Sequence, residues 1–246
     1  MPDPAATPPI LTLEGVATDI AQYHILKGVS FAVPRGAVTM LLGRNGVGKT
    51  TTLRTIMGLW RARAGTIGFD GTDLTTAPVA ARAGLGIGYV PEDMGIFSDL
   101  TVEENMTLAA VSGPLAPERL SAIVTAFPPL RTFWRSPAGN LSGGQKQMLS
   151  IARAMAEERR LYLIDEPTKG LAPAIVSTMV RALRDLKARG ASILLVEQNF
   201  AVAKALGDHA VVMDDGAVTW TGTMAALAGD ATLQERLMGL SMEAHR

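Results

Sequence analysis

A nine-residue stretch with three glycines and one lysine carries the clearest chemical signal in the chain. It reads GRNGVGKTT and occupies positions 43–51. This GxxxxGK(S/T) pattern predicts a phosphate-binding loop, because glycines let successive backbone N–H groups wrap around an anion. Lys49 would reach the β- and γ-phosphates of a nucleotide, and the Thr50 hydroxyl would ligate Mg²⁺. The expected nucleotide contacts in this loop are Gly43, Arg44, Asn45, Gly46, Gly48, Lys49, Thr50 and Thr51.

Two carboxylates further along the chain could supply the chemistry of hydrolysis. Asp165 and Glu166 close the apolar run 161–164, which reads LYLI and is typical of a buried strand. Asp165 would hold Mg²⁺, mainly through water, and Glu166 could polarise an attacking water molecule. We therefore expect Glu166 and Lys49 to be catalytic, and Thr50 and Asp165 to hold the metal.

A second anion-binding surface is predicted at LSGGQ, positions 141–145. Its two glycines leave backbone N–H groups uncovered at a predicted helix start, where the helix dipole also favours negative charge. The residues expected to contact phosphate here are Ser142, Gly143, Gly144 and Gln145.

The elements that must position these residues follow from hydrophobic periodicity. The phosphate loop lies between the apolar run 38–42 and helical spacing over 52–57, which is the strand–loop–helix context that the motif requires. Short alternating runs at 10–16 and 29–33 predict a small antiparallel layer ahead of the phosphate loop, and the run 65–71 alternates again and stops at an Asp-Gly turn. Strands that alternate with helices along the rest of the chain predict an α/β fold with a mostly parallel core sheet. These further elements are strands at 87–90, 161–164 and 192–196, helices at 78–84 and 173–189, and a hairpin at 210–220 with a helical tail to residue 246.

The segment from residue 94 to residue 140 differs in texture, because five prolines interrupt it. Thr101 and Glu104 have the spacing of a capping box ahead of a helix. We expect a small α-helical subdomain inserted here into the α/β core. The chain is then divided into a proline-rich tail over residues 1–9 and one domain over residues 10–246.

Composition narrows the class of protein further. The 246 residues carry 23 Lys and Arg against 23 Asp and Glu, so no excess charge indicates a nucleic-acid or anionic-lipid partner. Zero cysteines exclude disulfides and thiolate metal sites. No apolar run is long enough to span a membrane, and the N-terminus lacks the pattern of a signal peptide. We therefore expect a cytoplasmic protein that reaches a membrane only through a partner.

Three motifs occur in the order GRNGVGKTT, LSGGQ and LYLIDEPTKGLAP, and together they resemble the ATP-binding cassette (ABC) ATPases over nearly the whole chain. The resemblance implies a P-loop NTPase of ABC type that hydrolyses ATP with Mg²⁺. It also implies a dimer, either of two copies or with a different ABC ATPase subunit. In such a dimer the phosphate loop of one subunit and the LSGGQ of the other enclose one ATP. Ser142, Gly143 and Gly144 would then bind the γ-phosphate held by the opposite subunit.

Four shorter patterns, VPE, TVEEN, GLAP and LLVEQN, resemble the ATPase subunits of branched-chain amino acid importers, with the related urea and amide importers as the alternative. Glu92 stands where the wider family usually has Gln, Gln198 where it has His, and Ala172 where it has Asp. The resemblance places Glu92 near Mg²⁺ or the membrane partner, and gives Gln198 a catalytic role in sensing the γ-phosphate. Because Gln198 cannot carry charge as imidazolium does, hydrolysis would depend more heavily on Glu166.

The adenine contact has two candidates. The family's aromatic residue precedes the second strand, and its position here holds Ile20, whereas Tyr23 lies three residues later. Either the loop places Tyr23 against the base, or Ile20 makes only an apolar contact.

The resemblance also implies membrane permease subunits as partners, a peripheral location on the cytoplasmic face of the inner membrane, and an extracytoplasmic solute-binding protein as an indirect partner. Two other classes of protein fit the sequence less well. A soluble ABC ATPase that acts on ribosomes or DNA usually has tandem cassettes, coiled-coil insertions or strongly basic regions, and this sequence has none of them. A P-loop kinase or GTPase is disfavoured by LSGGQ and by the lack of an NKxD motif.

Overall fold

The computed structural model describes residues 8–238. Residues 1–7 of the predicted tail and residues 239–246 of the predicted terminal helix lie outside the described part of the chain. The strands are β1 (Leu11–Ile20), β2 (Tyr23–Val33), β3 (Val38–Leu42), β4 (Ala64–Phe69), β5 (Thr72–Asp73), β6 (Ile87–Val90), β7 (Leu161–Asp165), β8 (Ser192–Val196), β9 (His209–Asp214) and β10 (Ala217–Thr223). The helices are α1 (Lys49–Met57), α2 (Val79–Gly84), α3 (Val102–Ala109), α4 (Pro117–Ala126), α5 (Pro128–Thr132), α6 (Gly143–Met155), α7 (Pro173–Ala188), α8 (Phe200–Leu206), α9 (Met224–Gly229) and α10 (Ala231–Met238), with a short 3₁₀ helix at Ala138–Asn140.

Six strands form the core sheet in the order β10-β9-β3-β8-β7-β6. The pairs from β9 to β6 are parallel, and β10 pairs antiparallel with β9 as the predicted hairpin. Every residue of β3, β7 and β8 is buried, as expected for parallel strands that are covered on both faces. The predicted α/β fold with a mostly parallel core sheet is confirmed.

Alternate residues of the central strands pack into two hydrophobic cores on opposite faces of this sheet. Met40 and Leu195 belong to the core that α6, α7 and α8 cover. Leu41 and Leu194 belong to the core formed with α1 and the antiparallel strands. Because β3, β8 and β7 are parallel neighbours, their carboxyl ends lie at the same edge of the sheet, which is where ligands bind in open α/β folds.

A second sheet has the order β2-β1-β4-β5 and is antiparallel throughout, as the sequence predicted. Its first two strands are longer than expected, because β1 continues to Ile20 and β2 already begins at Tyr23. The register between them shifts after Leu13 and again after Val16, and Gly15 has a φ of 61°. These irregularities interrupt the alternation of polar and apolar residues, so the sequence pattern predicted strands shorter than β1 and β2.

Three helices, α3 to α5, lie between β6 and α6, and α6 packs against all three of them and against β6. The predicted capping box begins α3. Thr101 Oγ1 accepts from Glu104 N at 3.1 Å, and Thr101 N donates to Glu104 Oε2 at 2.7 Å. The first turn of α3 is therefore closed by its own side chains.

Candidate nucleotide-binding and active site

The loop between β3 and α1 has a backbone that only glycine adopts freely. Gly43 has a φ of 140°, and a Cβ atom there would lie 2.3 Å from the Met213 carbonyl oxygen. Gly48 is the N-cap of α1 with a φ of 103°, and its Cβ would lie 2.9 Å from Leu26 Cδ2. The loop is thus fixed by β9 on one side and by β2 on the other, with the N-terminus of α1 at its centre.

The other loop residues divide into an exposed tip and a buried base. Arg44, Asn45 and Gly46 are exposed, whereas Thr50 and Thr51 are half-buried on the first turn of α1. Lys49 is 5% exposed, and its Nζ donates to the carbonyl oxygens of Gly43 at 2.8 Å and Arg44 at 2.9 Å. Its ammonium group therefore lies inside the loop.

Two opposing effects act on the Lys49 ammonium. Burial lowers the pKa of Lys49, and the negative charges of Glu166, Asp165 and Glu92 act in the opposite direction. The charges of these carboxylates therefore act on the Lys49 ammonium. The structure brings the phosphate-loop lysine and the acidic residues at the end of β7 to the same edge of the sheet.

Asp165 ends β7 and is completely buried, with no hydrogen-bond partner for either carboxylate oxygen among residues 8–238. Burial raises the pKa of Asp165 to about 6, with Glu166 and Glu92 adding to the rise and the Thr50 hydroxyl opposing it. Buried polar atoms without partners are rare in folded proteins. Two free carboxylate oxygens beside the Thr50 hydroxyl form the all-oxygen donor set that suits Mg²⁺, so the residues fit the metal predicted here.

Glu166 follows in the left-handed backbone region, with a φ of 46°. This conformation costs a residue with a side chain about 1 kcal/mol. It is held by a hydrogen bond from Glu166 N to Val196 O at 3.0 Å, while Glu166 Oε1 accepts from Gln198 Nε2 at 2.5 Å. The structure thus brings Gln198 directly to the carboxylate that sequence analysis chose as the base.

The buried Glu197 carboxylate holds the two loops of this arrangement together, although the sequence patterns gave it no role. It is 3% exposed, and its Oε2 accepts from the backbone N–H groups of Gln198 at 2.8 Å and Asn199 at 3.0 Å. Its Oε1 accepts from the Thr168 hydroxyl in the loop after β7. One buried carboxylate therefore ties the loop after β8 to the loop after β7.

Lys169 is a second residue that sequence analysis missed. Its Nζ lies 2.7 Å from Glu92 Oε1 and 3.3 Å from Glu166 Oε2. Both missed residues stand next to predicted ones: Lys169 is three residues after Glu166, and Glu197 directly precedes Gln198. A rule that every polar residue just after a buried parallel strand is a site candidate would have found them.

The LSGGQ residues begin α6, as predicted. Ser142 is the N-cap, its Oγ accepts from Gln145 N at 3.3 Å, and Ser142 N donates to Gln145 Oε1 at 2.9 Å. Ser142 and Gly143 are exposed, whereas a Cβ at Gly144 would lie 3.0 Å from Ile175 on α7. Within residues 8–238 no hydrogen bond joins positions 142–145 to the predicted phosphate loop.

Ile20 and Tyr23 face each other across the turn between β1 and β2, where Ala21 has a φ of 52°. The Tyr23 residue is 62% exposed, and Ile20 is half-buried. Both alternatives for the adenine contact thus lie at one hairpin tip, three to six residues before Leu26, which packs against Gly48.

A glycine-rich loop between a parallel strand and a helix, with two acidic residues at the carboxyl end of another strand of the same sheet, defines a P-loop nucleotide-hydrolysing protein. The family model described as ABC transporter matches residues 26–169, which is more than half of the chain. The chain belongs to this ABC transporter family; it is an ATP-binding subunit of a transporter, and it is an ATPase.

Three curated relatives cover most of the chain. "Probable branched-chain amino acid transport ATP-binding protein LivF" of Archaeoglobus fulgidus is 37% identical over 89% of this chain and 94% of its own length. "High-affinity branched-chain amino acid transport ATP-binding protein BraG" of Pseudomonas aeruginosa is 34% identical over 94% of this chain and 100% of its own. "Lipopolysaccharide export system ATP-binding protein LptB" of Haemophilus influenzae is 33% identical over 94% of this chain and 97% of its own.

Solved structures share the fold. An ATP-binding subunit of an ABC transporter superimposes with a TM-score of 0.80 at 32% identity, covering 95% of this chain and 96% of the other. An ATP-binding cassette in a dimeric post-hydrolysis state bound to ADP and Pi has a TM-score of 0.78 at 25% identity, covering 87% of this chain and 98% of the other.

Within residues 8–238 no helix is both long and apolar enough to cross a membrane.

Proposed function

We propose that this chain is the ATP-hydrolysing subunit of an importer for branched-chain or other amino acids. The observation that carries the proposal is the near full-length similarity to two proteins named for branched-chain amino acid transport. The departures from the wider family agree with it, because Glu92, Gln198 and Ala172 fall in patterns that resemble this subgroup. Urea or amide import is the alternative within the same resemblance.

Hydrolysis would proceed by in-line attack of water on the γ-phosphate, with Glu166 accepting the proton of that water. Gln198 donates a hydrogen bond to Oε1 of this carboxylate, whereas Oε2 accepts no hydrogen bond within residues 8–238 and could accept the proton of the water. Lys49 would meet the growing negative charge on the transferred group from inside the loop. Mg²⁺, when bound through Thr50 and Asp165 with Glu92 near it, would neutralise phosphate charge and orient the nucleotide.

The site is completed by a second ABC ATPase subunit in this proposal. Ser142, Gly143, Gly144 and Gln145 would present the N-terminus of α6 to the γ-phosphate on the neighbouring chain. Two observations support it: these residues make no hydrogen bond to their own phosphate loop within residues 8–238, and a structural relative is a dimer in a post-hydrolysis state. The neighbour is either a second copy or a different ABC ATPase.

Tyr23 is the better of the two adenine candidates. A ring that is mostly exposed offers a face on which a base can stack, and base–aromatic stacking contributes about 1–3 kcal/mol. Ile20, which is half-buried across the same turn, would support the ring from the neighbouring strand.

Membrane attachment would come through permease subunits on the cytoplasmic face of the inner membrane. The predicted inserted subdomain, residues 94–140 of a single domain that spans residues 10–246, presents the exposed apolar side chains Phe97, Leu108 and Val111. Exposed apolar groups of this kind are suited to a protein partner. An extracytoplasmic solute-binding protein would deliver the amino acid, and nucleic acid has no part in the proposal.

The chemistry is tested by Glu166→Gln in a steady-state ATPase assay. We expect kcat to fall about a hundred- to thousandfold, because the amide cannot accept the proton of water. ATP binding should persist, and the variant should accumulate as an ATP-bound dimer in size-exclusion chromatography. Hydrolysis at the wild-type rate would show that Glu166 is not the base.

The biological role is tested by identifying what co-purifies with the tagged chain after mild detergent extraction. Permease subunits are expected, and proteoliposomes made from them with their binding protein should take up labelled leucine rather than urea. Co-purification of ribosomes or DNA in place of permease subunits would contradict the proposed role in import. Co-purification of a lipopolysaccharide export complex would instead assign the chain to the pathway of its export relatives.

A further inference from the structure

Lys169 joins two carboxylates that belong to different parts of the molecule. Glu166 lies at the end of β7, whereas Glu92 lies in the segment between β6 and α3. The single ammonium group of Lys169 is 2.7 Å from Glu92 and 3.3 Å from Glu166. The position of one carboxylate therefore depends on the position of the other.

Each oxygen of the Glu166 carboxylate has its own polar neighbour. Gln198 donates a hydrogen bond to Oε1, and the Lys169 ammonium lies at ion-pair distance from Oε2 without a hydrogen bond to it. The terminal torsion of a glutamate is broad, so a carboxylate with one contact can rotate about it. The hydrogen bond at Oε1 and the ion pair at Oε2 together favour one orientation of the carboxylate, which decides where an acceptor lone pair points.

The Lys169–Glu92 ion pair contributes little to the stability of the fold. The side chain of Lys169 is 56% exposed and that of Glu92 is 41% exposed. Exposed ion pairs contribute about 0–1 kcal/mol to the free energy of unfolding. The Glu166 side chain, by contrast, is only 7% exposed, so the effect of Lys169 is expected on its orientation rather than on folding.

The segment that carries Glu92 is tied to α6. Met94 has a φ of 66°, and its carbonyl oxygen accepts from Ser150 Oγ at 2.6 Å. The neighbouring Gly95 carbonyl accepts from the Arg153 guanidinium. Because Ser150 and Arg153 lie on the helix that begins at Ser142, a shift of α6 would move this segment and Glu92 with it.

We propose that Lys169 is a positioning residue that sets the orientation of the Glu166 carboxylate according to the position of Glu92. The inference rests on the proposed function of Glu166 as the base. Lys169 acts through Glu166 and does not contact the nucleotide in this account. A displacement of α6 or of the segment around Glu92 is thereby passed to the base through one side chain.

The test compares Lys169→Met and Lys169→Arg with the wild type in a steady-state ATPase assay with saturating Mg-ATP. For Lys169→Met we expect kcat to fall about tenfold with an unchanged KM for ATP, because misplacing a catalytic group slows the chemical step more than binding. Lys169→Arg, which can span both carboxylates, should restore kcat to within about threefold of the wild type. Lys187→Met removes a lysine that pairs with Asp208 at 2.6 Å away from the site, and should leave kcat unchanged.

A double-mutant cycle tests the link to Glu92. In a Glu92→Gln background the loss caused by Lys169→Met should shrink to about twofold, because Lys169 no longer has its second anchor. An unchanged or raised kcat for Lys169→Met, or losses that multiply independently in the double variant, would overturn the proposal. A wild type that hydrolyses ATP while Glu166→Gln does not would at the same time keep the proposed function intact.

Discussion

The two surfaces of this chain that are proposed to face phosphate are built in different ways. Around Glu166 the loops after β7 and β8 are joined to each other by Thr168, Glu197 and Gln198, and most of these side chains are buried. Around Ser142 the hydrogen bonds that involve side chains join Ser142 and Gln145 within residues 8–238, and Ser142 is exposed. The first surface is assembled by long-range contacts, whereas the second is shaped by a local capping box.

This difference indicates how each surface obtains its partner. The Glu166 region is completed by folding, since its members come from separate loops of one sheet edge. The Ser142 region is shaped by its capping box but makes no hydrogen bond to the phosphate loop within residues 8–238. We infer that substitutions of the buried side chains around Glu166 disturb chemistry and stability together, whereas an added charge at the exposed Gly143 disturbs catalysis alone.

The largest effect is expected for Gly143→Asp. A Cβ at this position meets nothing within 4 Å, so the aspartate fits the fold. Its carboxylate would repel the γ-phosphate of the neighbouring subunit, and kcat should fall about a hundredfold or more. A negative charge in the first turn of α6 should leave the melting temperature unchanged or slightly raise it. Loss of ATP binding by the monomer, measured by fluorescent-nucleotide titration, would contradict the separation of the two surfaces.

An intermediate effect is expected for Glu197→Ala, which leaves the N–H groups of Gln198 and Asn199 without their acceptor. We expect kcat to fall about tenfold and the free energy of unfolding to fall by about 1–3 kcal/mol. Glu197→Gln is the matched control, because its amide oxygen can still accept from these N–H groups and should keep most of the activity. If Glu197→Ala lost stability with no loss of kcat, the link from this carboxylate to Gln198 would not serve catalysis.

The smallest effect on catalysis is expected from Asp165 in the absence of metal, where the buried carboxyl gives stability a pH dependence. The folded-state pKa of about 6 lies above the value of 3.8 expected without burial, so the folded protein binds the extra proton between these values. Stability from this group is therefore full below pH 3.8 and is lost as the pH rises through 6. Urea unfolding in EDTA should show Asp165→Asn to be about 2–3 kcal/mol more stable than the wild type at pH 7.5, with a smaller difference at pH 4.5. An equal difference at both pH values would refute the assignment.

Much of this architecture could be predicted because its signals are local. The phosphate loop, the buried strands β3, β7 and β8, and the capping boxes at Thr101 and Ser142 each depend on residues within a few positions of one another. The lengths of β1 and β2 were missed because pairing irregularities around Gly15 hide the alternation.

The missed site residues share a different cause. The side chain of Lys169 contacts Glu92, which is 77 positions away in the sequence, and the side chain of Glu197 contacts Thr168, which is 29 positions away. Such contacts arise only when the sheet brings the loops together, so a local sequence pattern can mark these residues as site candidates but does not give their partners. The sequence also does not decide between Ile20 and Tyr23 as the adenine contact, because the two residues lie together at one hairpin tip.

The central claim is that each ATP site is shared between two subunits, and mixing two inactive variants tests it most directly. Lys49→Ala disables the phosphate loop and Gly143→Asp disables the surface at Ser142, so each should be inactive alone. A mixed dimer contains one site with both surfaces intact, and half of randomly mixed dimers are of this kind, so an equimolar mixture should recover about a quarter of the wild-type ATPase rate. A mixture that is no more active than its separate components would contradict a site shared between two copies of this chain.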